Sequence, residues 1–392
     1  MTAGVCPASF LDRRLGEARG RLAEKGLDGL LVTHPPNVFY LTSFRGSAGV
    51  VLLTRNGLCL ITDARYATVA KGLVARFGPK VGLTFVEVES TYEETICAVL
   101  RASGLARVGI ETAHMTLAHF EWLEHALAGS GVTLCRTTGL VERSRVVKDP
   151  YELATLREGG RRISGVMAET LSGLGTGRTE REVAADIDRA ICGAGFDGPA
   201  FESIVAGGPN TALPHSRPGG RRLEAGDLVM LDFGGVYDGY CLDMTRVASL
   251  GRADPDAVTW HDAVREAHSA ACAAVLPGVP PGVVDAAART VLERRGLGEG
   301  FVHGTGHGLG VEVHEAPRLG RPRLATGSGD PVETGEAVEV VGDIPLEPGM
   351  VFTVEPGVYL LGRGGVRLED DLVVTETGCE LLTSLSLDLV VI

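Results

Sequence analysis

The stretch Phe301-Val302-His303-Gly304-Thr305-Gly306-His307-Gly308-Leu309-Gly310-Val311-Glu312-Val313-His314-Glu315 restricts the fold more than any other. His303 and His307 stand four apart, the spacing that puts two imidazoles on one helix face in zinc proteases. A helix is disfavoured here, because each interior glycine costs about 1 kcal/mol relative to alanine. An extended segment suits the glycines better: where side chains are missing, another backbone or a ligand comes close. A close-packed strand is therefore expected, the plain alternative being a glycine-rich loop with incidental histidines.

Acids lodged in apolar runs give the histidines a context. Leu228-Val229-Met230-Leu231-Asp232-Phe233-Gly234 contains one carboxylate, and an unpaired buried carboxylate is expensive, so Asp232 needs a cation or a metal. Asp238-Gly239 is a type I′ turn signal, and Tyr240-Cys241-Leu242-Asp243-Met244-Thr245-Arg246 follows it. That turn sets Asp243 opposite Gly234 and Asp232 opposite Thr245. The two aspartates then share a face as diagonal neighbours, about 7–8 Å apart at the backbone. They repel unless a cation lies between them, the rival explanation being a salt bridge to Arg246. Met350 to Tyr359 reads as a strand enclosing Glu355, and Gly365 to Val374 as one with Arg367, Glu369 and Asp371 on one face.

Around these segments, 392 residues with 44% hydrophobic and 22% charged content suffice for two cored domains. The first is read as residues 1–145: a helix over 10–30, strands at Leu27–Thr33, Val50–Thr54 and Leu58–Thr62 (the last two joined at Asn56-Gly57), then alternating helices and strands. That alternation indicates an α/β domain. The second, residues 146–392, states one order twice: helix, turn, helix, then strands. This suggests a pseudo-symmetric α+β domain with its site between the halves. Residues 318–344 read as a surface insertion, with no clear periodicity until 337–341. A net charge of −13 and a pI near 5.3 disfavour a nucleic-acid partner. No apolar run is long enough to span a bilayer, and the first ten residues lack a signal-peptide pattern. The eight cysteines form no Cys-x-x-Cys pair and are expected to be reduced thiols of a cytoplasmic protein.

Four strand-borne acids and one imidazole suit two divalent ions, Mn²⁺ or Co²⁺ ahead of a thiolate zinc site. Two such ions clamp a bridging water, lower its pKa and polarise a carbonyl, which is hydrolysis without a covalent intermediate. No Gly-x-Ser-x-Gly elbow competes with this reading.

The motifs Leu231-Asp232-Phe233-Gly234, Asp243-Met244-Thr245-Arg246, His303 to Gly310, Val354-Glu355-Pro356-Gly357 and Arg367-Leu368-Glu369-Asp370 resemble those of the pita-bread metallopeptidases in sequence, order and spacing. That family includes methionine aminopeptidase, Xaa-Pro aminopeptidase and prolidase. The resemblance implies an α/β N-terminal domain followed by an α+β pita-bread domain, an antiparallel sheet with flanking helices. It implies metal ligands Asp232, Asp243, His307, Glu355 and Glu369, with Glu355 as general base. His303 would line the site, His215 would hold substrate or assist proton transfer, His314 would contact the scissile carbonyl, and Arg367 would brace the ligands. Tyr40 to Ser47 and Leu60 to Tyr66 resemble the creatinase-type N-terminal domain of the proline-specific branch. The implied function is dimetal hydrolysis of Xaa-Pro bonds in dipeptides or short peptides by a metal-bridging hydroxide, in a homodimer. A metal-dependent hydrolase of a small amide or amidine such as ectoine is the alternative, and a non-catalytic binding module is disfavoured by the complete ligand set.

Overall fold

The computed structural model describes residues 6–321 and 344–392. Residues 322 to 343 of the expected insertion, including the periodic run at 337–341, lie outside the described residues. Arg318 and Leu319, placed by the sequence in that insertion, belong to a strand instead.

Two compact units divide the chain, Met1–Arg145 and Val146–Ile392. The first contains α1 (Ala8–Glu24), β1 (Gly29–Val32), α2 (Pro35–Thr42), β2 (Val50–Thr54), β3 (Leu58–Asp63), α3 (Ala67–Val81), β4 (Leu83–Val88), α4 (Tyr92–Ser103), β5 (Arg107–Glu111), α5 (Leu117–Ala126) and β6 (Thr133–Thr137). A short α6 (Glu142–Val146) runs across the boundary. The strands form one sheet in the order β4-β3-β2-β1-β5-β6. Pro35-Pro36 opens α2 rather than merely closing β1, since proline at the first helical positions has no N–H to lose. Asn56-Gly57 does join β2 to β3, but neither residue is left-handed. Thr54 Oγ1 accepts the Gly57 N–H at 2.8 Å and shapes the turn instead.

The second unit begins with α7 (Pro150–Ser172) and α8 (Glu180–Gly193), each started by a capping box, on Asp149 and Thr179 respectively. Then come β7 (Gly198–Pro199), β8 (Ile204–Gly207), β9 (Leu228–Tyr237) and β10 (Tyr240–Ser249). The order repeats with α9 (Pro255–Ala273), α10 (Pro281–Arg294), β11 (Gly306–Gly308), β12 (Glu315–Leu319), β13 (Val351–Val354), β14 (Gly357–Leu360), β15 (Gly364–Arg367), β16 (Asp370–Val374) and β17 (Cys379–Leu381), before β18 (Val390–Val391) returns to pair with β10. Among the described residues one sheet runs β18-β10-β9-β7, with β8 also on β9, and the other β12-β11-β13-β16-β17. Ala263, Ala267 and Ala271 of α9 and Ala288 of α10 bury small side chains in the core shared with Met230, Val247, Phe352 and Leu372. Small residues at the helical repeat let these helices lie close to the sheet.

The hairpin β9–β10 has the register its turn predicts. Asp238 and Gly239 are both left-handed, with φ of 49° and 81°, as a type I′ turn requires. Asp243 pairs with Gly234 and Thr245 with Asp232.

Two expected strands are broken. The run through Glu355 stops at Val354 and restarts at Gly357, because Pro356 has no N–H for a ladder. The run through Glu369 stops at Arg367 and restarts at Asp370. On one side of each break β13 pairs with β16; on the other, β14 and β15 form a separate ribbon. Arg367, Glu369 and Asp371 therefore do not share one strand face. The His303–Glu315 stretch is likewise a strand only at 306–308 and again from Glu315.

Candidate metal centre

Why the glycines are there is visible at β11. A Cβ on Gly306 would collide with the Thr353 carbonyl oxygen, and one on Gly308 with that of Ala316. The missing side chains let β11 sit between its neighbours, and this pins His307 over the middle of the site.

Ligand-type atoms of Asp243, His307 and Glu369 all lie within 4.8 Å of one another. His307 Nε2 is 3.6 Å from Glu355 Oε1 and 4.0 Å from Asp243 Oδ2. Asp232 gives one oxygen to Arg367 Nη2, while its Oδ1 and that of Asp243 are buried without a hydrogen-bond partner among the described residues. Orphaned carboxylate oxygens in a dry setting are costly unless a cation meets them. Burial pushes Asp243, Glu355 and Glu369 above the ordinary carboxylate range. Neighbouring acids add to this: Asp232, Asp371 and Glu355 act on Asp243, and Asp243, Glu355 and Asp232 on Glu369. The residues fit divalent cations, whose charge removes that repulsion.

The two histidines of the glycine stretch differ in what their rings have left to offer. His303 Nδ1 lies 2.7 Å from the Gly304 carbonyl, which only accepts, so Nδ1 carries the proton. Its Nε2 then accepts from the Tyr359 hydroxyl at 2.9 Å. His307 Nδ1 donates to the Gly308 carbonyl at 3.1 Å, which leaves Nε2 open toward Asp243 and Glu355. Burial lowers the pKa of both rings and keeps them neutral.

The surrounding cavity, of 1380 Å³, is lined by these residues together with His215, His314, Arg318 and Arg367. His314 is tilted against His307 with ring centroids 4.2 Å apart. Partial desolvation, then His307, His215 and Arg318, hold its pKa down to about 4. Arg367 donates to Asp232, to Tyr359 Oη at 2.6 Å, to Thr245 Oγ1 at 3.3 Å and to the Pro214 carbonyl at 3.1 Å, next to His215. Arg246, the sequence-level rival partner for the aspartates, pairs with Asp370 instead.

Sequence reasoning missed several supports. Thr245 Oγ1 donates to Glu369 Oε2 at 2.6 Å, and Thr353 Oγ1 accepts from the His307 backbone at 3.1 Å. Asp285 Oδ1 accepts from Thr305 N at 3.0 Å, and Arg289 holds the His303 carbonyl at 2.9 Å. Tyr359 was readable in part: a tyrosine in a buried strand needs a partner for its hydroxyl.

A buried group of carboxylates around an open imidazole nitrogen, facing a cavity of this size, fits a divalent-metal site open to a substrate. Residues 154–376 match the model of Metallopeptidase family M24, and residues 14–147 that of the Creatinase/Prolidase N-terminal domain. The chain belongs to metallopeptidase family M24, in the branch with a creatinase-type N-terminal domain. It is 36% identical to the probable dipeptidase PepE of Mycobacterium bovis, covering 98% of this chain and 97% of that protein. Its fold is similar to the Xaa-Pro dipeptidase from Bacillus anthracis (TM-score 0.87, 31% identity, 97% of this chain and 100% of that one). It is also similar to the X-Pro aminopeptidase from Thermotoga maritima (TM-score 0.82, 30% identity, 95% and 100%).

Proposed function

We propose that this metallopeptidase hydrolyses the Xaa-Pro bond of dipeptides and short peptides, with two divalent ions, Mn²⁺ first and Co²⁺ as substitute, held by Asp232, Asp243, His307, Glu355 and Glu369. The observation that carries this reading is the grouping of Asp243, His307 and Glu369 within 4.8 Å, with Glu355 beside His307. When bound, such ions supply the charge that acidifies water and polarises a carbonyl. Glu355, with Oε1 3.6 Å from His307 Nε2, serves as general base. Neutral His314 donates to the scissile carbonyl, and His215, whose loop Arg367 ties down, holds the substrate. His303 has its Nε2 engaged and acts as a wall of the site. The bond before proline is a tertiary amide, so no group is needed to grip a scissile N–H.

Arg318 favours the shorter substrates. It is exposed on the cavity wall, paired in register with His307, and makes no ion pair among the described residues. A guanidinium there suits the terminal carboxylate of a dipeptide. By the same family resemblance we propose a cytoplasmic homodimer, which sedimentation of the purified protein checks; no described helix is long and apolar enough to cross a membrane.

The test is a substrate panel on protein stripped of metal and reloaded with Mn²⁺ or Co²⁺. Ala-Pro, a longer Xaa-Pro peptide, ectoine and creatine are offered separately. Proline release from Ala-Pro supports the dipeptidase form, and turnover of the longer peptide the aminopeptidase form. Cleavage of ectoine or creatine with both peptides untouched would sink the peptidase reading.

A further inference from the structure

Behind the cluster, on the face of β10 opposite Asp243 and Thr245, Arg246 is buried with every guanidinium N–H in use. Its Nε donates to the Ser386 carbonyl at 3.2 Å; Nη1 donates to the carbonyls of Thr245 at 3.0 Å and Glu369 at 2.7 Å; Nη2 donates to Asp370 Oδ1 and the Leu385 carbonyl, both at 2.7 Å. Asp370 is equally enclosed. Its Oδ1 also accepts from Thr383 Oγ1 at 2.6 Å, and its Oδ2 lies 3.3 Å from His268 Nε2.

These bonds matter because of where Glu369 stands. It occupies the break between β15 and β16, where the regular ladder lapses and its backbone is held by an isolated bridge to Thr245 and by Arg246. Arg246 grips both partners of that bridge at once. Thr245 reaches Glu369 Oε2 from the cavity side, and Asp243 lies two residues earlier on the same strand. The spacing of two mutually repelling carboxylates thus depends on a planar fork that lysine does not reproduce.

We propose that Arg246 and Asp370 are positioning residues that fix the separation of Asp243 and Glu369 and so set the affinity of the centre for divalent ions. This rests on the metal-binding reading above. Removing such outer partners typically lowers metal affinity about 10–100-fold.

The experiment titrates metal-free full-length protein with Co²⁺, following heat and the visible Co²⁺ spectrum, alongside the melting temperature of each metal-free protein. Arg246→Lys and Asp370→Asn should bind Co²⁺ about 10–100-fold more weakly, with an altered spectrum, and should also melt lower without metal, since each leaves buried groups short of partners. Arg157→Gln, which breaks an exposed ion pair to Glu380 on β17, should leave affinity unchanged. Thr383→Val is the milder variant should the others fail to fold; it is expected to weaken binding in the same direction. Wild-type affinity in every foldable variant would overturn the positioning role, as would weaker binding with a Co²⁺ spectrum identical to that of the wild type. Failure of the wild type itself to bind Co²⁺ would instead remove the reading beneath it.

Discussion

The Tyr359 hydroxyl lies 2.9 Å from His303 Nε2 and accepts from Arg367 Nη1 at 2.6 Å. Burial pushes the phenol up to about 12, so it remains a donor at any working pH. A proton-ordered chain results, from Arg367 to Tyr359 to His303 to the Gly304 carbonyl, and it occupies the one lone pair His303 could offer a metal. His307→Ala is expected to lose bound metal and activity together. His303→Ala and Tyr359→Phe should keep metal, and Tyr359→Phe should lower kcat roughly tenfold, as loss of an outer-shell partner does. Metal content by atomic emission beside kcat decides it; equal metal loss at both histidines contradicts the assignment.

Arg318 predicts a preference for a free carboxylate. A charge-assisted hydrogen bond contributes about 1.5–3 kcal/mol, or roughly 10–100-fold in binding. Arg318→Gln should raise KM for Ala-Pro by that order and leave kcat nearly alone. The amide Ala-Pro-NH₂ should be hydrolysed equally by both proteins. If the variant loses the same factor on acid and amide, Arg318 does not read the carboxylate.

Gly306 tolerates no side chain, since a Cβ would meet the Thr353 carbonyl. Overpacking of this kind costs about 1–3 kcal/mol, and here the displaced strand carries His307. Gly306→Ala should lower the melting temperature by several degrees and weaken metal binding more than Gly165→Ala, where a Cβ meets open space.

His261 on α9 sets an acid limb to stability. It is buried, its Nε2 lacks a partner among the described residues, and burial lowers its pKa from 6.5 to about 4. As pH falls below about 6.5 the unfolded chain takes up a proton that the folded chain refuses. Stability is therefore lost progressively toward pH 4, by about 2 kcal/mol at pH 5. His261→Gln removes this dependence, so its urea midpoint should fall less between pH 7 and pH 5 than that of the wild type. Parallel falls in both proteins would refute the assignment.

The hairpin carrying Asp232 and Asp243 was legible in the sequence because its register depends on local chemistry. Two left-handed residues make one turn type, and period-two alternation does the rest. The capping boxes of α7 and α8, which the structure shows, are equally local, each joining residues three positions apart. Glu355 and Glu369 were visible as acids in apolar surroundings, yet their geometry was not, because both sit where a strand leaves one sheet for another. Only the packed sheets decide where such breaks fall. Which histidine keeps a free nitrogen depends on Tyr359, more than fifty positions from His303, and Arg246 chooses Asp370 across an even longer gap. Turns and caps are paid for by neighbours in sequence; a shared proton or a bridged carbonyl exists only once distant strands have met.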